Sequence, residues 1–283
     1  MSDVLFDQPG PKARARHNVM TAAAGAVLVG LAAVMLWKLW QEGEFEAELW
    51  EDLAQPNIAQ AILDGIVATV SAAASGIVLS VIFGGLFAVG RLSEHAWVRW
   101  PARVVVEFFR AVPLLLLIIF IFYGFQDYLG TYWSLVIALM LYNGSVLSEV
   151  FRAGMLAVPT GQSEAAYAVG MRKNQVMRLV LLPQAVTIML PAIISQCVIV
   201  LKDTALGVII SYPELVFQGQ LIAEYVKHAI VPLALIAVIF IVMNYSLSKL
   251  AVFVERRFAQ RGHSSAKKTA QVEAGALDQS GGA

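Results

Sequence analysis

Six long apolar stretches divide the chain: Val19–Trp40, Ala61–Gly90, Val104–Phe125, Tyr132–Phe151, Leu179–Ser211 and His228–Val254. A helix crosses the hydrocarbon core of a bilayer with about 20 apolar residues, and each stretch reaches that length. The second is long enough to tilt. The fifth is interrupted by Pro183, Pro191 and the charged pair Lys202–Asp203. In lipid every backbone N–H and C=O must be satisfied within the chain, which leaves helices for stretches of this kind. The pattern predicts an all-α transmembrane protein with six spans.

The polar connections orient these spans. Lys12, Arg14 and Arg16 precede the first. Residues 41–57, QEGEFEAELWEDLAQPN, carry six acidic residues and no Lys or Arg. Arg91, Arg99 and Arg103 follow the second span, and the connection at Asp127 has no basic residue. Arg152, Arg172, Lys173 and Arg178 follow the fourth. Glu214 and Glu224 outnumber Lys227 after the fifth, and Arg256, Arg257, Arg261, Lys267 and Lys268 follow the sixth. Basic and acidic connections alternate throughout, so the positive-inside rule places both termini in the cytoplasm. The expected organisation is a cytoplasmic tail (1–18), an extra N-terminal span (19–40), an acidic extracytoplasmic loop (41–60), a five-span core (61–254) and a cytoplasmic tail (255–283). The core includes a cytoplasmic loop at 156–178. The first apolar run exceeds the h-region of a signal peptide and no small-residue cleavage site precedes Gln41, so it reads as an uncleaved span. The last segment, rich in Gly, Ala, Ser, Lys and Gln, reads as disordered.

Composition narrows the chemistry. Apolar residues make up 59% of the 283, against about 45–50% in soluble domains. The formal net charge is zero, which offers no general attraction to nucleic acid. Cys197 is the single cysteine, so no intramolecular disulfide forms. No catalytic cluster, metal-ligand spacing or phosphate-cradling GxxxxGK[ST] occurs. The chain is expected to bind no cofactor or metal itself, and any ATP must be bound by another chain.

The cytoplasmic loop holds the most specific pattern, SEAAYAVGMRKNQVMRLVLLPQA from Ser163 to Ala185. Pro159 and Gly161 close the preceding span. A helix is expected from Gln162 or Ser163, capped by Thr160 or Ser163, with Glu164 in its first turn where a carboxylate suits the helix dipole. Ala165, Ala166 and Ala168 flatten one side, and Gly170 can take the left-handed conformation that stops the helix. A second helix carrying Arg172, Lys173 and Arg178 near the headgroups then leads through Leu181, Leu182 and Pro183 into the membrane. A flat, short helix with one acidic anchor suits docking to a partner. On shape alone it is equally an interfacial helix that organises a loop.

The spacing of Glu164, Ala165, Ala166, Gly170, Val180, Leu182 and Pro183 resembles the EAA loop of permease subunits of bacterial ATP-binding-cassette importers. Residues Glu107–Phe125 (EFFRAVPLLLLIIFIFYGF), Asn143–Ala166 and Leu181–Leu215 resemble signatures of the polar amino acid branch, the histidine- and glutamate-permease-like subunits. The similarity covers about Ala61 to Val254. Gly144-Ser145 and Ala205 stand where many relatives have Ala-Ala and Ser. The resemblance implies the type I importer permease fold, a five-span core to which the first span is an addition. It implies a subunit without enzymatic activity that translocates glutamate or a related polar amino acid delivered by an extracytoplasmic binding protein. Two cytoplasmic ATPase subunits, holding ATP and Mg, and a second permease subunit complete the assembly.

On this reading Glu164, Ala165, Ala166 and Gly170 couple the chain to the ATPase. Polar residues inside spans mark pathways or join helices. Asn143, Ser145 and Glu149 on the fourth span, and Gln196, Lys202, Asp203 and Thr204 on the fifth, are therefore either substrate-path residues or packing polar groups. Lys202 and Asp203 read equally as a local ion pair. Glu149 and Arg152 can pair on one helix face, and Arg110 and Pro113 shape the start of the third span. A secondary transporter working without ATP would need carboxylate or His relays across the spans and often an inverted repeat. No such repeat is visible and intramembrane carboxylates are few, and no cluster fits an intramembrane enzyme.

Overall fold

The computed structural model describes residues 10–44 and 46–253, and the described residues are helical almost throughout. The expected disorder of 255–283, and residues 1–9 of the N-terminal tail, lie outside them. Five helices are long and apolar enough to cross a membrane: Arg14–Gln41, Pro56–Arg91, Leu114–Leu156, Lys173–Ile210 and Ile230–Phe253.

Helix α1 (Pro11–Gln41) exposes almost every described side chain, including Val27, Leu31, Trp37 and Trp40. It is an apolar rod standing clear of the bundle, tied to it at its far end. There Glu44, only 4% exposed, accepts a hydrogen bond from Val231 N at 3.3 Å, and its Oε1 lies 3.7 Å from His228 Nδ1. One carboxylate of the acidic loop is thus spent on the start of α10 (Ile230–Phe253), where orphan N–H groups favour an acceptor. The short α2 (Ala47–Leu53) follows α1 and buries Leu49.

Helix α3 (Pro56–Arg91) is the central strut. Beyond Ile58 in its first turn, its buried positions Gly65, Thr69, Ala72, Ala73, Gly76, Ser80, Gly84 and Ala88 are all small, and a stripe of small residues lets helix backbones meet closely in a membrane. A methyl on Gly84 would stand 2.8 Å from Gly144 O, and one on Gly76 would stand 3.3 Å from Leu139 Cδ1. The main core cluster forms there, from Ala72, Ile118, Leu135, Leu139, Val200 and Tyr212 among others.

Helix α4 (Ala96–Ala111) begins after Arg91 and ends where Val112 is extended before Pro113. Proline disfavours the helical conformation in the residue before it, so Val104–Ala111 belong to α4. The third span therefore starts at Leu114, not at Val104. Helix α5 (Leu114–Leu156) has 43 residues, which would run about 65 Å if straight. It is instead a hairpin. Gly130 takes φ 63°, ψ −177°, a region open essentially to glycine alone. The chain folds back there so sharply that Arg110, before the first leg, lies 3.7 Å from Glu149 near the end of the second. The legs are the third and fourth apolar stretches. Tyr123, Tyr128 and Trp133 are exposed around the turn, where aromatic side chains suit a membrane interface.

After α5 come α6 (Thr160–Ala168), α7 (Lys173–Gln175), a π-helical turn Val176–Leu181, α8 (Leu182–Asp203) and a 3₁₀ segment Thr204–Ile210. The chain then turns at Ser211 (φ 54°) into α9 (Leu215–Val226). Glu214, expected in a solvated acidic loop, is fully buried as the cap of α9. Its carboxylate accepts from Val216 N at 2.9 Å and Phe217 N at 2.7 Å, while Thr69 Oγ1 accepts from Leu215 N at 3.1 Å. Burial pushes the Glu214 carboxyl up to about 7, against the pull of these backbone donors.

Candidate functional site

The loop between α5 and α8 folds into a short exposed helix with a defined stop. Helix α6 begins at Thr160 with Pro159 before it, two residues earlier than Gln162; neither Thr160 nor Ser163 caps it, and Ser163 Oγ donates to Thr160 O at 2.7 Å. The end follows from Gly170, at φ +82°. Gly170 N donates to Tyr167 O at 2.9 Å and Met171 N to Ala166 O at 3.1 Å. This is a Schellman closure, which satisfies two of the helix's orphan carbonyls and needs a residue able to go left-handed. Ala166 is buried, whereas Glu164, Ala165 and Gly170 are exposed. The helix thus anchors itself on one small side chain and presents the carboxylate and a flat neighbour outward.

Two links carry this loop to the rest of the molecule. Gln184 Nε2, on α8, donates to Gln162 Oε1 at 3.1 Å and to Val180 O of the π-helical turn. Lys173 forms an ion pair with Glu94, on the connection between α3 and α4. The hydrogen bond and charge of Lys173 hold the Glu94 carboxyl below its ordinary range. The sequence pattern alone puts Lys173 among lipid headgroups; the two residues are 79 apart in the chain, and no local pattern pairs them. The π-helical turn just before Pro183 joins the loop to α8. Such turns are rare and recur at functional sites.

A second group lies deep in the bundle. Asn143, fully buried on the second leg of α5, donates through Nδ2 to Asp203 Oδ2 at 3.2 Å, and its Oδ1 accepts from Gln196 Nε2 at 2.6 Å. The structure therefore brings three of the sequence-predicted path residues into one chain of hydrogen bonds between α5 and α8. Asn143 and Gln196 are spent on one another, and half-buried Asp203 keeps an open side. Lys202 is exposed and forms no ion pair with Asp203 among the described residues. Adjacent positions on a helix point about 100° apart.

The other candidates are turned elsewhere. Ser145 Oγ donates to Leu141 O at 2.7 Å and Thr204 Oγ1 to Leu201 O at 2.7 Å, so both hydroxyls serve their own helices. Glu149 sits apart from the polar chain, in a cluster with arginines. Arg152 Nη2 reaches it at 2.6 Å, as their spacing predicts, but Arg91 Nη1 at 2.7 Å and Arg110 Nη1 at 3.7 Å do so as well. Those two partners come from α3 and α4. The basic character of their loops is visible in the sequence, but the convergence on one carboxylate is not. No group of His, Cys, Asp and Glu able to hold a metal occurs among the described residues.

Residues 76–260 match the family of binding-protein-dependent transport system inner membrane components. The chain is 39% identical over 222 residues to the glutamate transport system permease protein GluD of Corynebacterium glutamicum, covering 76% of this chain and 81% of that one. It is 31% identical over 209 residues to the glutamate/aspartate import permease protein GltK of Escherichia coli O157:H7, covering 70% and 93%. The probable glutamine ABC transporter permease protein GlnP of Bacillus subtilis is 34% identical over 200 residues, covering 69% and 92%. Among solved structures, one chain of an amino acid ABC transporter crystallised with histidines superposes with a TM-score of 0.67 at 28% identity, over 71% of this chain and 95% of that one. The methionine transporter MetNI shares the fold, with a TM-score of 0.61 at 19% identity. The relatives are transport subunits whose ATPase is a separate chain. The chain belongs to this family: it is a multi-pass inner-membrane permease subunit of an ATP-driven, binding-protein-dependent importer.

Proposed function

We propose that this permease imports glutamate or a closely related polar amino acid, and that Glu164 and Ala165 form its docking face for the ATPase. The observation that carries the docking reading is the geometry of α6: a short helix closed at Gly170, held by Ala166, and exposing Glu164. The substrate reading is supported by the relatives that transport glutamate, glutamate and aspartate, or glutamine. In this reading the membrane is crossed six times, with Gly130 at one turn and both termini in the cytoplasm. An extracytoplasmic binding protein delivers the amino acid. Two ATPase subunits, holding ATP and Mg, close on the coupling helices of two permease subunits. Movement of α6 reaches α8 through Gln162–Gln184 and the π-helical turn, and α8 carries Lys202 and Asp203 at its other end. Those two side chains offer opposite charges to the carboxylate and ammonium of an amino acid. Lys202, exposed on a membrane-crossing segment, is costly to leave in lipid and suits a path lined jointly with a second permease subunit.

The test is radiolabelled glutamate uptake in cells expressing this chain with its ATPase and binding protein, competed with glutamine, arginine and histidine. Wild type is expected to take up glutamate, competed best by acidic or amide amino acids. The Glu164→Lys variant is expected to reach the membrane in normal amount and lose uptake. Uptake that persists in the variant, or without the ATPase, would overturn the coupling role. Competition by arginine alone would overturn the substrate.

A further inference from the structure

An arginine-lined cavity of about 540 Å³ lies between the end of α3, the outer side of α4 and the end of the second leg of α5. It is at the same end of the bundle as α6, because Glu94 beside it pairs with Lys173 of the coupling loop. We propose that this cavity binds the phosphate-bearing headgroup of an anionic phospholipid.

The charge balance comes first. Arg91, Arg110 and Arg152 converge on the single carboxylate of Glu149, and Arg103 pairs with Glu107 at 2.7 Å. Arg99 donates only to the carbonyls of Ser93 and Glu94, at 3.0 and 3.3 Å. Five guanidiniums against two carboxylates leave the lining with three positive charges in excess. Guanidinium is always charged and its planar fork matches phosphate oxygens. An anion placed there relieves the mutual repulsion of cations that one carboxylate only partly offsets. The Arg91 side chain is only 8% exposed in this lining, where its Nη1 lies 2.7 Å from Glu149 Oε2.

The membrane side of the same helix identifies the kind of anion. Helix α4 has three faces. Ala102 and Val106 pack inward. Arg99, Arg103, Glu107 and Arg110 line the cavity. Trp97, Trp100, Val104 and Phe108 form an exposed stripe at helical spacing, with Trp97 75% exposed. Tryptophan next to arginine on an amphipathic helix marks the headgroup level. A molecule with a phosphate for the cavity and acyl chains for the adjoining stripe fits both faces at once, and a free anion uses only one.

The test is native mass spectrometry of the intact transporter, purified with its partner subunits and equilibrated with equal amounts of phosphatidylglycerol and phosphatidylcholine. Wild type is expected to retain phosphatidylglycerol in preference. Replacing Arg99 and Arg103 by Gln, which leaves the Glu149 cluster intact, is expected to reduce that preference about 30-fold, roughly fivefold for each arginine near the membrane surface. Should the double variant not assemble, Arg99→Gln alone is read instead, with about a fivefold loss expected. Equal retention of both lipids by wild type, or an unchanged preference in the variants, overturns the proposal. Displacement of the lipid by millimolar inorganic phosphate would show a free-anion site, and displacement by glutamate a substrate site; either outcome also overturns it.

Discussion

Gly144 shows how little room a helix crossing leaves. A methyl there would stand 2.8 Å from Phe83 Cδ1 and 3.1 Å from Ser80 O. Gly144 is thus a packing feature between α3 and α5. Gly144→Ala is expected to destabilise the protein by about 1–3 kcal/mol, as overpacking does, read as a lower midpoint in thermal unfolding of the detergent-purified chain. Glu214 gives a pH dependence of definite sign. Its carboxyl titrates near 7 in the folded protein and near 4.5 otherwise, so between those values the folded state holds more protons. The stability this supplies is fully present below about pH 4.5 and is lost as pH rises through 7, with a slope of at most about 1.4 kcal/mol per pH unit. Thermal stability measured across this window is expected to fall more steeply with rising pH in wild type than in Glu214→Gln.

At the scale of elements, the turn inside α5 and the stop of α6 are the two places where a glycine conformation decides the course of the chain. Gly130→Ala would force a side chain into φ 63°, ψ −177°, at a cost of about 1–3 kcal/mol. Loss of the hairpin would separate Arg110 from Glu149. The expected outcome is reduced yield of folded protein and a lower unfolding midpoint, and an unchanged midpoint would mean that the turn does not depend on glycine at residue 130. The stop of α6 is legible in the sequence, because a Gly soon after an Ala-rich helix has a single common use. Its start is not. Thr160 and Ser163 both look like caps, but Pro159 begins the turn and Ser163 bonds backward to Thr160 O. Likewise the apolar run at Val104 reads as the beginning of a span. Pro113 ends α4 first, leaving Glu107 and Arg110 on a helix that lies outside the crossing.

At the scale of the whole molecule, the outer surface carries the remaining information. Helix α1 and the stripe on α4 expose apolar side chains as a lipid-facing surface does. Lys202 breaks that rule. If it faces a water-filled path shared with a second permease subunit, Lys202→Cys in a Cys197→Ser background will react with a water-soluble maleimide in membrane vesicles. Saturating glutamate together with the binding protein and ATP is expected to change the rate severalfold. No reaction would place residue 202 against lipid and remove it from the path.

The helical class, the apolar stretches, the alternation of basic and acidic connections and the stop of the short helix at Gly170 were determined by the sequence alone. Each rests on residues close together in the chain, where hydropathy, charge and glycine geometry act locally. The pairing of Glu149 with Arg152 was legible for the same reason. The tertiary structure alone decided that Arg91 and Arg110 meet Glu149, that Lys173 meets Glu94, that Asn143 bridges Gln196 and Asp203, and that Glu44 and Glu214 are buried caps. Apart from the capping bonds of Glu214, which are local although its burial is not, those contacts join residues on different elements. The energy that selects them, burial of a charge or amide beside one particular partner, exists only once the small-residue stripe of α3 has brought the helices together.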